Sequence, residues 1–215
     1  MYKTAFFDLD GTLTDPKEGI TKCVQYALRY FGIYENDPDK LTAYIGPPLN
    51  IGFSELAGLS DEDSIKAVAR YRERYSETGI FENKLYEDTV QVLQDLKQNG
   101  IRLCIASSKP EVFVNRIARR YGIYEYFEHC VGSELDGRRC DKAEVISEAI
   151  SRCGIEDLSE VIMIGDRRHD IEGAKKCGLA SIGVTFGYGS YDELKKSGAD
   201  YIADSLFDAR DIILK

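Results

Sequence analysis

The segment TAFFDLDGTLTD, residues 4–15, decides the reading of this chain. Its apolar first half, Thr4 to Phe7, has the length and composition of a buried strand, and the strand runs directly into Asp8-Leu9-Asp10. Side chains two apart on an extended chain point the same way, so Asp8 and Asp10 present paired carboxylates at the carboxyl end of the strand. Open α/β sheets place their ligands at that end. Two carboxylates held together repel each other, and a divalent cation relieves the repulsion. Hard oxygen donors of this kind suit Mg²⁺.

Outward from this segment, Ile101 to Ala106, Val161 to Ile164, Ser181 to Val184 and Tyr201 to Ala203 are further short apolar runs separated by amphipathic stretches. After Asp141 the helical period is plain, with Ile146, Ala149, Ile150 and Cys153 on one face. Alternation of this kind predicts an α/β fold, a doubly wound parallel sheet covered on both sides and joined by right-handed crossovers. Between the first strand and Ile101 the rhythm breaks, because that interval holds helical segments and no convincing strand. It reads as a helical insert of residues 15–83, leaving residues 1–14 and 84–215 for the core. Its first helix is expected to open with Asp15 as N-cap, Pro16 at the first position and Glu18 closing a capping box. Its long helix is expected from Asp61 to Glu77, with Ile65, Val68, Tyr71 and Tyr75 on the buried stripe. Gly46-Pro47-Pro48 makes a stiff turn inside the insert.

Three further places carry chemistry. Val161 to Gly165 leads into Asp166, then Arg167-Arg168-His169-Asp170 and a helix. One such aspartate is ordinarily a turn or cap residue, and Asp170 suits the cap of that helix. Two strands of one sheet ending in aspartates favour Asp166 as completing a metal site with Asp8. Ser107 and Ser108 end another strand, where hydroxyls and backbone N–H groups beside a helix N-terminus can hold phosphate oxygens, although serines there also serve as turn residues. Lys142 opens a helix against its dipole, which disfavours a purely structural role and leaves neutralisation of a phosphoryl oxygen as the alternative. His169 and His129 read as structural, and Arg72, Arg74 and Tyr75 of the insert are the side chains best suited to contact a substrate's leaving group.

The 215 residues carry 28 Lys+Arg against 37 Asp+Glu, a formal charge of -9, which argues against a nucleic-acid polymer as partner. The six cysteines form neither a CxxC pair nor a dense framework, as expected of reduced thiols in the cytoplasm. No stretch has the length of a signal-peptide core or a membrane span, so no membrane partner is expected. Oligomeric state is left open by the sequence.

The order DLDGTLTD, Ser107, Lys142, GDRRHD resembles that of the haloacid dehalogenase-like superfamily in its phosphatase branch, and the resemblance covers the whole chain. IGPPL at residues 45–49, GDRRHDIEGA at 165–174 and GVTFGYGS at 183–190 are similar to the 5'-nucleotidase-like and phosphoglycolate phosphatase-like enzymes. The resemblance implies a helical cap after the first strand, Asp8 as nucleophile and Asp10 as general acid and base. It implies phosphate or substrate contacts from Gly11, Thr12, Ser107, Ser108 and Lys142, and Mg²⁺ held by Asp8, the Asp10 carbonyl and Asp166, with Asp170 supporting. A Mg²⁺-dependent phosphatase acting on a small phosphorylated metabolite follows. The paired Asp10 argues against a dehalogenase. A sugar-phosphate phosphomutase shares every core motif, and a phosphoacceptor signalling module shares the acceptor aspartate on a doubly wound sheet.

Overall fold

A computed structural model describes residues 2–215. The chain forms two compact units, one made of the chain up to Thr14 together with Leu85–Lys215, the other of Asp15–Lys84. In chain order the elements are β1 (Thr4–Phe7), β2 (Thr14–Asp15), α1 (Lys17–Tyr30), α2 (Leu49–Ala57), α3 (Asp61–Glu77), β3 (Lys84–Leu85), α4 (Thr89–Gln98) and β4 (Arg102–Pro110). There follow α5 (Glu111–Arg120), β5 (His129–Ser133), α6 (Lys142–Arg152), β6 (Val161–Gly165), α7 (Arg168–Lys176), β7 (Ala180–Val184), α8 (Tyr191–Ser197), β8 (Tyr201–Ala203) and α9 (Leu206–Leu214).

Among the described residues, the first unit carries one sheet of six strands in the order β5-β4-β1-β6-β7-β8. Its neighbouring strands are parallel throughout. Every residue of β1 and β6 is buried, as central strands covered by helices on both faces require. Phe6, Cys104, Ala106, Val131 and Met163 point to one face and meet Val145, Ile146 and Ala149 of α6 and Ala174 of α7. The chain runs from β1 to β4 and β5 on one side, then returns to lay β6, β7 and β8 on the other. The carboxyl ends of β1 and β6 therefore flank the topological switch point, the crevice where doubly wound sheets bind ligands.

Local chemistry moved several boundaries away from the expectation. Strand β4 runs on to Pro110, which pairs with Ser133 after a register shift beyond Ala106. Strand β5 was not expected, because its only apolar pair, Cys130-Val131, is diluted by His129, Gly132 and Ser133. Helix α7 starts at Arg168 rather than at Ile171.

The second unit is helical. Helix α3 has the expected bounds, yet it buries Ser64, Ala67, Tyr71 and Tyr75. Ile65 is 68% exposed, so the buried stripe lies one residue round from the apolar reading. Small Ser64 and Ala67 admit close packing where Ile65 would not fit. Helix α1 begins at Lys17, so Pro16 takes the cap position rather than the first helical one and no cap side chain bonds the helix; Asp15, one residue further out, accepts from the Lys17 N–H through Oδ1 at 3.0 Å. Glu18 turns away to Lys22, 2.6 Å off, and the capping box is not made. Among the described residues no helix is long and apolar enough to cross a membrane.

Candidate active site

The site is built at the carboxyl ends of β1 and β6. The Asp8 N–H still donates to the Ile164 carbonyl at 2.9 Å, so Asp8 leaves β1 in register with β6. The chain then folds back on itself, with the Leu13 and Thr14 N–H groups both reaching the Leu9 carbonyl at 2.9 Å. Gly11 makes the reversal at φ 88°. A Cβ there would also overlap the Asp166 carboxylate, so both the turn and the close approach require glycine.

Asp8, Asp166 and Asp170 each offer a carboxylate oxygen within 4.8 Å of the others, and all three are buried. Lys142, buried at the first position of α6, places Nζ 2.6 Å from Asp8 Oδ1 and 2.6 Å from Asp170 Oδ1. Lys142 thus serves two of the three carboxylates. The imbalance appears in the acidities. Asp166 is raised well above the usual carboxylate range, first by burial and then by Asp170 and Asp8. Asp170 is raised to about 6, again chiefly by burial, with Lys142 pulling the other way. Asp170 Oδ2 also accepts from the Arg167 N–H at 3.0 Å, so it caps α7 and anchors Lys142 at once. A buried, oxygen-only cluster short of positive charge fits a hard divalent cation.

This constellation sits within a match to the haloacid dehalogenase-like hydrolases that covers residues 5–184. The chain belongs to that family. A 5'-nucleotidase of Pseudomonas aeruginosa is 44% identical over 90% of this chain and 87% of its own. The tyrosine-protein kinase PtkA of Mycobacterium tuberculosis is 36% identical over 91% of this chain, which spans 66% of that protein. A phosphoglycolate phosphatase of Vibrio vulnificus is 29% identical over 99% of this chain and 96% of its own. Among solved structures, a predicted phosphatase from Clostridium acetobutylicum superposes with a TM-score of 0.97 at 43% identity, covering 100% of this chain and 99% of that one. The protein is a haloacid dehalogenase-like phosphatase, a phosphoric monoester hydrolase.

In this phosphatase the Asp10 carboxylate stands apart from the other three. It is ion-paired through Oδ2 with Lys109, while the buried Oδ1 has no hydrogen-bond partner. Burial raises the Asp10 pKa, Lys109 opposes the rise and Asp8 adds to it. Lys109 was missed in the sequence, although a signal was present: it lies two residues beyond Ser107 at the carboxyl end of β4. Ser107 is buried, and its Oγ accepts from the Lys109 N–H at 3.4 Å. The Ser108 carbonyl is held by the Ser133 hydroxyl at 2.8 Å. Thr12 is fully buried with Oγ1 3.5 Å from Asp166 Oδ1, so Gly11 and Thr12 both lie against Asp166.

The remaining candidates serve other ends. His169 lies in the first turn of α7, its imidazole held below the usual range by burial and by Arg168 and Arg167, and it is not part of the acidic cluster. In the insert, Arg74 is bound by Glu82 through two bonds of 2.7 and 3.0 Å, and Tyr75 is buried with its ring stacked on Tyr71, 5.2 Å between centroids. Both are committed to the insert's own packing.

Proposed function

We propose that the protein is a Mg²⁺-dependent phosphatase that hydrolyses a small phosphomonoester through an aspartyl-phosphate on Asp8. The observation that carries this reading is the buried triad Asp8, Asp166 and Asp170, of which Lys142 pairs with Asp8 and Asp170. Asp8, the Asp10 carbonyl and Asp166 would hold the cation, with Asp170 supporting from its bonds to Lys142 and the Arg167 N–H. Bound there, the cation supplies positive charge against which a phosphoryl oxygen and the Asp8 carboxylate can approach each other.

The protein's own residues divide the remaining work. Lys142 fixes the Asp8 carboxylate by a 2.6 Å bond and offsets its repulsion from the phosphate. Ser107 and Ser108, with Gly11 and Thr12, would receive the phosphoryl oxygens at the end of the sheet. Asp10, whose pKa is raised by burial, would hold a proton for the leaving oxygen as Asp8 attacks phosphorus. Left ionised, Asp10 would then take a proton from the water that releases phosphate from Asp8.

Similarity to the 5'-nucleotidase at 44% identity, against 29% for the phosphoglycolate phosphatase, favours a nucleoside 5'-monophosphate as substrate. The insert, as a cap, would read the leaving group, since the core grips only the phosphoryl group common to all such esters. Free cysteines throughout suit a reducing compartment such as the cytoplasm. The test is phosphate release from a panel of nucleotides, sugar phosphates and phosphoglycolate, with and without a chelator. Nucleoside 5'-monophosphates should be turned over best, only with Mg²⁺ present, and not by a folded Asp8→Asn variant. Full activity in chelator or in that variant would overturn the mechanism.

A further inference from the structure

Arg139 has a left-handed backbone, φ 55°, and is the only non-glycine residue with positive φ among the described residues. An arginine there costs on the order of 1 kcal/mol in backbone strain that a glycine would not, so its side chain must return something. The guanidinium, 16% exposed, does so by joining three segments. Nε donates to the Gly132 carbonyl in β5 at 2.8 Å, and Nη2 donates to Glu134 just beyond β5 at 2.7 Å. Nη2 also reaches Glu111 Oε2 at the start of α5, 3.3 Å away, and Nη1 reaches Glu148 in α6, 3.3 Å away. Arg152 closes the network on Glu111 and Glu148 at 3.0 and 2.8 Å.

Each segment so joined leads to the site. Glu111 follows Lys109 by two residues, and β5 holds the Ser108 carbonyl through Ser133. Arg139 itself lies three residues before Lys142, whose ammonium fixes Asp8. The loop from Glu134 to Asp141 also carries its own turn bonds, such as Glu134 N–H to the Arg138 carbonyl at 2.9 Å, and is tied at its end by Lys176 to Asp141 at 3.3 Å. The carboxylates around Arg139 are partly exposed, with side chains 27–43% accessible, so no single pair among them contributes much to stability by itself. Backbone strain kept at the residue whose side chain ties together the segments carrying Lys109, Ser133 and Lys142 points to positioning.

We propose that Arg139 is a positioning residue that pins the loop before α6 and thereby holds Lys142 on Asp8; the proposal rests on the assignment of Lys142 to phosphate and nucleophile above. Its test is a double-mutant cycle of Arg139→Gly and Lys142→Gln. Turnover of 4-nitrophenyl phosphate in saturating Mg²⁺ and inhibition by inorganic phosphate are measured on each variant, with folding checked by circular dichroism and thermal melting. Glycine accepts the backbone of residue 139 without strain, so Arg139→Gly should remain folded. It should lose about tenfold in kcat/KM and bind phosphate about tenfold more weakly. Arg139→Lys keeps the charge without the fork, should fall between, and carries the same test if the glycine variant does not fold. In the Lys142→Gln background the Arg139 change should add nothing.

A multiplicative loss in the double variant would overturn the proposal, as would wild-type kinetics in a folded Arg139→Gly whose melting point alone has dropped. Wild-type turnover in Lys142→Gln would instead overturn the role given to Lys142, a different failure.

Discussion

Asp10 is ion-paired with Lys109 through one carboxylate oxygen and leaves the other buried without a partner. The pair sets two opposing influences on one acid. Burial, the larger, raises the Asp10 pKa, and the ammonium lowers it. Removing the ammonium in Lys109→Met leaves burial and the Asp8 charge opposed only by the lesser influence of Lys142, so Asp10 should hold its proton to higher pH. The limb of the kcat/KM profile that reports Asp10 should move to higher pH, with kcat reduced about 10- to 100-fold because the regenerated base forms less readily. An unshifted profile would separate Lys109 from the acid–base step.

Asp166 and Asp170 carry a stability signature. Their folded-state pKa values lie above those of an unfolded chain, Asp170 at about 6. The folded protein therefore binds protons more readily than the unfolded one between about pH 4 and 6. In the metal-free protein the Asp170 contribution to stability is present below about pH 4 and is lost as pH rises through about 6, and that of Asp166 is lost in the same sense as pH rises through its own raised pKa. A cation bound to the ionised cluster opposes that loss. Mg²⁺ at about 100 times its dissociation constant stabilises by roughly 2.7 kcal/mol, or about 5–10 °C in Tm for a chain of this size. Thermal melting should show that gain at pH 7.5 and a much smaller one at pH 5. Equal shifts at both values would place the cation elsewhere.

What the sequence disclosed and what it hid follow from the range of the interactions involved. Asp8 and Asp166 were legible because each directly follows an apolar strand, and strand direction alone carries it to the same edge of the sheet. Lys142 was legible because a lysine opening a helix is locally out of place. Lys109 and Arg139 were not, because each acts through partners distant in the chain: Lys109 on Asp10, Arg139 on Glu111. The α3 stripe was misread for a related reason. Period alone selected Ile65, and only the neighbours' close packing selects the smaller Ser64 and Ala67.

The insert's first helix offers a prediction about capping. Asp15 Oδ1 holds the Lys17 N–H at 3.0 Å, whereas Glu18 is bound to Lys22 on the surface. Asp15→Ala should cost about 1 kcal/mol, because the Lys17 N–H at the start of α1 loses its side-chain acceptor. Glu18→Gln should cost less than about 0.5 kcal/mol, since only an exposed i,i+4 pair is lost. Urea unfolding of the two variants measures both. Comparable losses would mean that Glu18 supports the helix start after all.

Gly187, in the loop after β7, gives the sharpest test of how Asp166 is held. The Tyr188 N–H donates to Asp166 Oδ2 at 2.7 Å, and this contact requires the loop to lie against the aspartate. A Cβ at residue 187 would overlap the Asp166 side chain and the Gly11 carbonyl. Neither neighbour can yield without moving, because one is a site carboxylate and the other is backbone in the turn after Asp10. Gly187→Ala should therefore displace Asp166 and weaken Mg²⁺ binding about tenfold or more, with a stability cost of about 1–3 kcal/mol from overpacking. Gly183→Ala is the control. The nearest atoms to its Cβ would be those of the Leu194 side chain, at 3.0 Å, rather than Asp166 or the Gly11 carbonyl. It should lower stability by a similar amount while leaving Mg²⁺ affinity unchanged. Calorimetric Mg²⁺ titration of the two variants distinguishes a cradle that shapes the cation site from a loop that merely packs. Unaltered affinity in a folded Gly187→Ala variant would show that Asp166 keeps its place without the glycine.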